Sequence, residues 1–222
     1  LADLYLKRMG YAFGSDEITT DNISKALAQF VRSIVVTQSR YDIARAEVND
    51  HDDDFPAFTN LENEGKRLFF QNRRLTNGER TSCADCHASE AFVGVATGRN
   101  GTNANVLATN NGLDQESTDD LGVFETTDND NDIGKFKTPS LVNIAVTAPY
   151  MHDGRFATLE DVINHYSDGI QNHDNLDPVL RDNNSAGQWD FRENEKDALL
   201  AFLETLTDEQ LLSDEKYSDP FQ

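Results

Sequence analysis

Cysteine is nearly absent from this chain: Cys83 and Cys86 are the only two. A zinc half-site at that pair would therefore have to recruit distant histidines. Basic residues are scarce too. Nineteen Lys and Arg stand against 40 Asp and Glu, a formal charge of −21 over 222 residues. Nucleic-acid phosphates are bound through Lys and Arg, so this balance argues against a nucleic-acid partner. No apolar run approaches the length that crosses a membrane, so no transmembrane segment is expected. Strand-like alternation and internal repeats are also missing, and the chain opens on Leu1-Ala2-Asp3-Leu4 with neither an initiator Met nor an export signal.

What is present reads as helix, and the fold class is mostly α. Thr19-Thr20-Asp21-Asn22 offers N-caps, and Ile23, Leu27, Phe30, Val31 and Ile34 follow at helical spacing. A short helix is expected over 41–48. The run Asn49 to Pro56 is acidic and ends in Pro, the pattern of a solvated linker and of a domain boundary. Helix resumes over 61–70, with Leu61, Gly65, Leu68 and Phe69 on one face. A polar loop over 71–82 follows. Residues 94–134 are rich in Gly, Asn, Asp and Thr and predict long loops. Asp128, Asp130 and Asp132 lack the glycine and glutamate placement of a calcium-binding hand, so a solvated acidic loop is expected there. Thr158 with Asp161 three residues on caps a helix with Leu159, Val162, Ile163, Tyr166 and Ile170 on its apolar face and His165 off it. A last amphipathic helix over 193–206 turns Leu199, Phe202, Leu203 and Leu206 inward.

The chemistry centres on Cys83-Ala84-Asp85-Cys86-His87. A C-x-x-C-H run reads as covalent attachment of a c-type haem. On one helical turn, residues three and four apart share a face. Cys83 and Cys86 then form thioethers to the haem, with His87 as proximal iron ligand. A thioredoxin-like pair would want a βαβ context, which is not visible, and a plain disulfide leaves His87 unexplained. Haem c is attached outside the bacterial cytoplasm, so a periplasmic location and a lost export signal are expected. The chain then reads as a processed product or the later part of a longer one.

An iron with one histidine needs an open position or a second ligand. The residues leave four candidates. Met151 would give a high-potential carrier, His152 or His165 bis-histidine ligation, and Tyr166 a lower potential. For Tyr166, pattern alone favours an ordinary core tyrosine with its hydroxyl bonded. The acidic surface suits docking of a basic protein or serves solubility.

Three runs carry a family resemblance: Lys135-Phe136-Lys137-Thr138-Pro139-Ser140-Leu141, Thr147-Ala148-Pro149-Tyr150-Met151-His152-Asp153-Gly154, and Thr158-Leu159-Glu160-Asp161-Val162. Asp21 to Leu27, Ser39-Arg40-Tyr41-Asp42 and Glu64 to Phe69 agree. They closely resemble the bacterial di-haem cytochrome c peroxidases, a family that includes the MauG enzymes. The resemblance implies a cytochrome c-like haem domain over 56–222, preceded at 1–50 by helices that close an absent N-terminal haem domain. It implies an oxidoreductase, cytochrome c peroxidase-like, in which this haem passes or stores electrons while hydrogen peroxide is reduced at a partner haem. The electron donor would be a small cytochrome or cupredoxin, with a homodimer open.

In the peroxidases the distal ligand is a Met fourteen residues beyond the His of the T-A-P-Y-x-H run; here that position is Tyr166. MauG enzymes place a ligating tyrosine there, so the resemblance favours Tyr166 over Met151 and suggests stabilised high-valent iron or a low-potential haem. It also implies a Ca2+ ion held by backbone oxygens of Thr147 and Pro149 with an Asn upstream of Leu1. Val142 stands where many relatives have an Arg supporting a haem propionate, leaving that role to Arg155, Lys135 or Lys137. The alternatives are a stand-alone monohaem electron carrier, MauG-like oxidation of a protein substrate, and a haem-bearing sensor or subunit that binds a partner through its acidic surface.

Overall fold

The computed structural model describes residues 2–71, 73–74, 80–88, 92, 95–97, 104–106 and 108–219. The chain forms two compact units, residues 1–37 with 210–222, and residues 38–209.

The first unit holds α1 (Ala2–Phe13) and α2 (Thr20–Ser33). Thr19 caps α2 by accepting the Asn22 N–H at 3.1 Å, as its sequence predicts. The apolar stripe of α2 forms at its helical spacing yet stays in solvent. Ile23, Leu27, Phe30, Val31 and Ile34 are 41–63% exposed. Phe30 meets the edge of Tyr217 at 6.2 Å, and the Tyr217 hydroxyl donates to the Ser33 carbonyl.

The second unit carries α3 (Arg40–Arg45), α4 (Asn60–Phe70), α5 (Phe124–Thr127), α6 (Leu159–Asn164) and α7 (Glu193–Glu204), after which α8 (Glu209–Ser213) follows. Short antiparallel pairs replace the wholly irregular middle: β1 (Arg73–Arg74) with β2 (Arg80–Thr81), β3 (Val95–Thr97) with β4 (Ala104–Val106), β5 (Ala108–Thr109) with β6 (Phe136–Lys137), and β7 (Arg181–Asp182) with β8 (Ser185–Ala186). Parts of the expected loops over 71–82 and 94–134 lie outside the described residues. The architecture is mostly helical, as expected.

The core is an aromatic cluster gripped between α4 and α7. Phe69 lies 5.3 Å from Phe202 and 5.6 Å from Phe92, and Tyr41 lies 4.8 Å from Phe92. Such offset and edge-on pairs add to the burial of the rings themselves. The helices approach so closely that a Cβ on Gly65 would sit 1.8 Å from the Ala198 carbonyl oxygen. Leu199, Phe202, Leu203 and Leu206 all face inward, where the period placed them.

Three readings change here. α3, grouped by sequence with the segment ahead of the acidic run, belongs to this unit: Tyr41 and Ala44 are buried, and the Tyr41 N–H bonds the Thr205 carbonyl at 3.0 Å. On α4, Leu61 is exposed while Glu62, Asn63 and Lys66 are buried with Gly65 and Phe69. The polar three stay inside because each has partners. Glu62 pairs with Arg40 and accepts the Thr59 N–H, and Asn63 exchanges two bonds with the Phe55 backbone at 2.8 and 3.1 Å. Lys66 Nζ donates to the carbonyls of His51 and Asp53 and lies 4.4 Å from the centre of the Phe55 ring. The acidic run is thus a pinned loop with solvated carboxylates, not a free linker.

The third change lies at α6. Thr158 and Asp161 make the predicted capping box, and Leu159 and Ile163 are buried. Beyond Asn164 the helix opens into a π-helical turn, His165–Gly169. The wider turn advances the register by one residue. His165, expected off the apolar face, is consequently buried, while Tyr166 remains partly exposed.

Candidate haem site

The Cys83–Asp85 segment is a single 3-10 turn, and the N–H groups of Cys86 and His87 both bond the Cys83 carbonyl. Asp85 closes the turn by accepting the Ser82 N–H at 2.8 Å. The two thiols are free of any disulfide. Burial pushes the Cys83 thiol up to about 12, with the charge of Cys86 acting in the same direction. Burial likewise raises Cys86 to about 12, helped by Asp177 and Asp85. Neither sulfur is a ready thiolate, which speaks against a disulfide-exchange pair.

His87 is held through its ring. Nδ1 lies 2.9 Å from the Phe92 carbonyl, which places the ring proton on Nδ1 and leaves the Nε2 lone pair for a metal. Burial lowers the basicity of His87, opposed by the carbonyls of Phe92 and Pro139 and aided by the positive charge of Lys137. Lys137 is therefore close to the proximal side. Arg155 is committed elsewhere, bonding both carboxylate oxygens of Asp114 at 2.8 Å, and Lys135 pairs with Asp132 at 3.3 Å.

Among the distal candidates, Tyr166 lies on the π-helical turn that follows α6. Burial drives its hydroxyl up to about 12, a bond from Asn111 opposes this, and charge on Cys86 or Cys83 would raise it further. Met151 sits at φ 72°, a left-handed conformation that non-glycine residues rarely adopt. Its sulfur and the Tyr166 hydroxyl share one neighbour: Asn111 Nδ2 is 3.4 Å from each. His165 Nε2 bonds the Asn111 carbonyl at 3.1 Å. His152 is exposed, its ring stacked on Phe136 at 3.8 Å. The structure thus brings Tyr166, Met151 and His165 together around Asn111, and leaves His152 at the surface. Thr147 and Pro149, the expected calcium-side residues, are both exposed.

Asn111 carried no signal in the sequence beyond a loop-like Asn110-Asn111-Gly112. The carbonyl of Phe92 is equally silent, because a backbone atom leaves no trace in residue type.

These residues fit haem c. Two free, half-buried thiols, a histidine oriented through Nδ1, and an oxygen and a sulfur donor that share Asn111 are the kinds of group that would make up its covalent and axial set. Trp189, 5% exposed, adds a buried indole N–H that has no partner among the described residues, and its ring lies 6.0 Å from Tyr166. A buried donor of this kind calls for an acceptor beyond the described residues, as a bound group or water supplies.

A helical domain built on a C-x-x-C-H turn defines a cytochrome c-like haem domain. Residues 60–186 match the family described as di-haem cytochrome c peroxidase, more than half of the chain. The chain belongs to that family, whose members carry haem c. It is 30% identical over 206 residues to cytochrome c551 peroxidase of Nitrosomonas europaea, covering 93% of this chain and 50% of that protein. It is 29% identical over 210 residues to methylamine utilization protein MauG of Methylorubrum extorquens, covering 88% and 47%. Among solved structures it resembles a MauG-like protein associated with microbial copper homeostasis, with a TM-score of 0.72 and 32% identity over 92% of this chain and 58% of that one. The chain spans about half the length of the curated relatives it matches.

Proposed function

We propose that this chain is a c-type haem module of a periplasmic peroxidase-type oxidoreductase. Cys83 and Cys86 hold the haem as thioethers, His87 ligates the iron proximally and Tyr166 distally. The observation that supports the reading is the C-x-x-C-H turn with His87 Nδ1 held by the Phe92 carbonyl, together with the Tyr166 oxygen and Met151 sulfur that share Asn111. When bound, haem c supplies a one-electron redox centre. The chain's own part is to fix the axial ligands: the Phe92 carbonyl orients His87, and the π-helical turn carries Tyr166.

In the whole protein the module passes or stores electrons for the reduction of hydrogen peroxide, which takes two electrons and two protons to give two waters, at a partner haem. The helices at the start of the chain close that preceding haem domain. Their exposed Ile23, Leu27, Phe30 and Val31 support this, since a cluster of that kind wants cover. The acidic surface docks a basic electron-donor protein, so association weakens with salt. Backbone oxygens of Thr147 and Pro149 contribute to a Ca2+ site.

Tyr166 at the distal position favours the MauG-like variant, oxidation of a protein substrate, over a simple electron relay. The test is low-temperature electron paramagnetic resonance on the oxidised holoprotein beside Tyr166→Phe and Met151→Leu. Conversion from low to high spin in Tyr166→Phe alone supports the reading. An unchanged Tyr166→Phe spectrum with an altered Met151→Leu one replaces it with a methionine-ligated relay.

A further inference from the structure

Met151 and Tyr166 come from different segments, yet a single amide reaches both. Asn111 Nδ2 lies 3.4 Å from Met151 Sδ and 3.4 Å from Tyr166 Oη. A primary amide carries two N–H donors, so one nitrogen can serve both acceptors at once. The amide is not free to wander. The Asn111 carbonyl accepts from His165 Nε2 at 3.1 Å, the Gly112 N–H bonds Asn110 Oδ1 at 2.9 Å, and the Gly112 carbonyl accepts the Gln171 N–H at 2.7 Å. These bonds tie the Asn110–Gly112 segment to residues on both sides of Tyr166. Gly112 is suited to the approach: at φ 68°, a Cβ there would fall 2.7 Å from the Gln171 carbonyl oxygen.

We propose that Asn111 is the positioning residue of the distal side, donating one N–H to the Tyr166 oxygen and the other to the Met151 sulfur. The proposal deepens, and rests on, the reading of Tyr166 as distal ligand. Its consequence is electronic as well as geometric. An N–H donated to a phenolate oxygen withdraws density from the lone pairs that the iron shares. The phenolate becomes a weaker donor, and the reduction potential rises above that of a bare tyrosinate haem. The second N–H holds the thioether beside the Tyr166 oxygen, where it would be a weaker competitor for the iron. Asn111 thereby sets both which atom ligates and how strongly it does so.

The experiment uses the haem-loaded chain as Asn111→Leu and Asn111→Asp, with Tyr166→Phe and Met151→Leu as references. The readouts are the phenolate-to-iron charge-transfer band, the low-spin paramagnetic resonance signal and the midpoint potential. Asn111→Leu removes both donors at similar size and is expected to shift the band to longer wavelength and lower the potential. Asn111→Asp sets an acceptor beside the phenolate and is expected to populate a second low-spin species that disappears when Met151→Leu is added. If Tyr166→Phe abolishes the band while both Asn111 variants match the parent in band and potential, the positioning role is overturned and the ligand reading stands. If Tyr166→Phe changes nothing, the ligand reading falls and takes the proposal with it. Should Asn111→Leu fail to keep haem, the near-isosteric Asn111→Asp decides on the same readouts; loss of haem from both makes the role merely structural and overturns it.

Discussion

The carbonyl oxygen of Phe92 lies 2.9 Å from Nδ1 of His87, and it reaches there from a left-handed backbone at φ 50°. One residue thus orients the proposed proximal ligand with its backbone while its ring, 1% exposed, fills the core between Tyr41, Phe69 and Phe202. Phe92→Ala is expected to lower stability by about 3–5 kcal/mol through the lost burial and the cavity left behind. Urea denaturation measures this. Phe92→Leu, which keeps most of the apolar volume, should lose clearly less.

Gly65 is the close-approach point of α4 and α7. Its added methyl would meet backbone, the Ala198 carbonyl, rather than a side chain able to turn away. Overpacking costs about 1–3 kcal/mol in ordinary cores, and a backbone obstacle puts Gly65→Ala at or beyond the upper end. Thermal melting should show a clear drop; an unchanged midpoint would mean the two helices separate freely.

Lys66 is 1% exposed and serves two carbonyls. Burial lowers its ammonium pKa below the usual lysine value, with Asp54 and Asp52 opposing. Lys66→Met keeps the apolar stem and strips both bonds, leaving the His51 and Asp53 carbonyls short of a donor. An unsatisfied buried group costs about 1–3 kcal/mol, so a loss of that order is expected in denaturant titrations. Stabilisation by Lys66→Met would show that the packing alone holds the acidic loop.

His173 gives a pH dependence whose sign follows from its burial. Burial holds its imidazole below the ordinary 6.5, Arg181 acts the same way, and Asp174, Asp114 and Glu116 oppose. Its Nδ1 already accepts the Asn175 N–H at 2.9 Å, and Nε2 faces Ser117 Oγ at 3.4 Å. The unfolded chain takes up a proton at the ordinary value while the folded chain resists it, so the unfolded state binds more protons on the acid side. The contribution is complete above pH 6.5 and is lost as pH falls through the lower folded value. Denaturation midpoints should be level above about pH 6.5 and fall towards pH 5, with part of that slope absent in His173→Gln.

Much of the local structure was legible beforehand. Thr19 and Thr158 cap helices where their spacing to Asn22 and Asp161 said they would, and the apolar period of α7 points inward as read. The apolar period of α4 misled, because it cannot see that Glu62, Asn63 and Lys66 find partners inside. At α6 the helical period held only as far as Asn164, since it presumes 3.6 residues per turn and the π-helical turn breaks that count.

The sequence by itself determined what depends on neighbours within about one turn: the C-x-x-C-H turn, the capping boxes, the mostly helical class and, through its motif runs, the family. Only the tertiary structure decided that His165 is buried, that the Phe92 carbonyl holds His87, and that Asn111 meets Met151 and Tyr166, 40 and 55 positions along the chain. The physical reason is range. Caps and amphipathic faces answer to bonds a few residues apart, whereas such meetings depend on the path of the whole backbone and on hydrogen bonds between atoms whose residue types do not announce them.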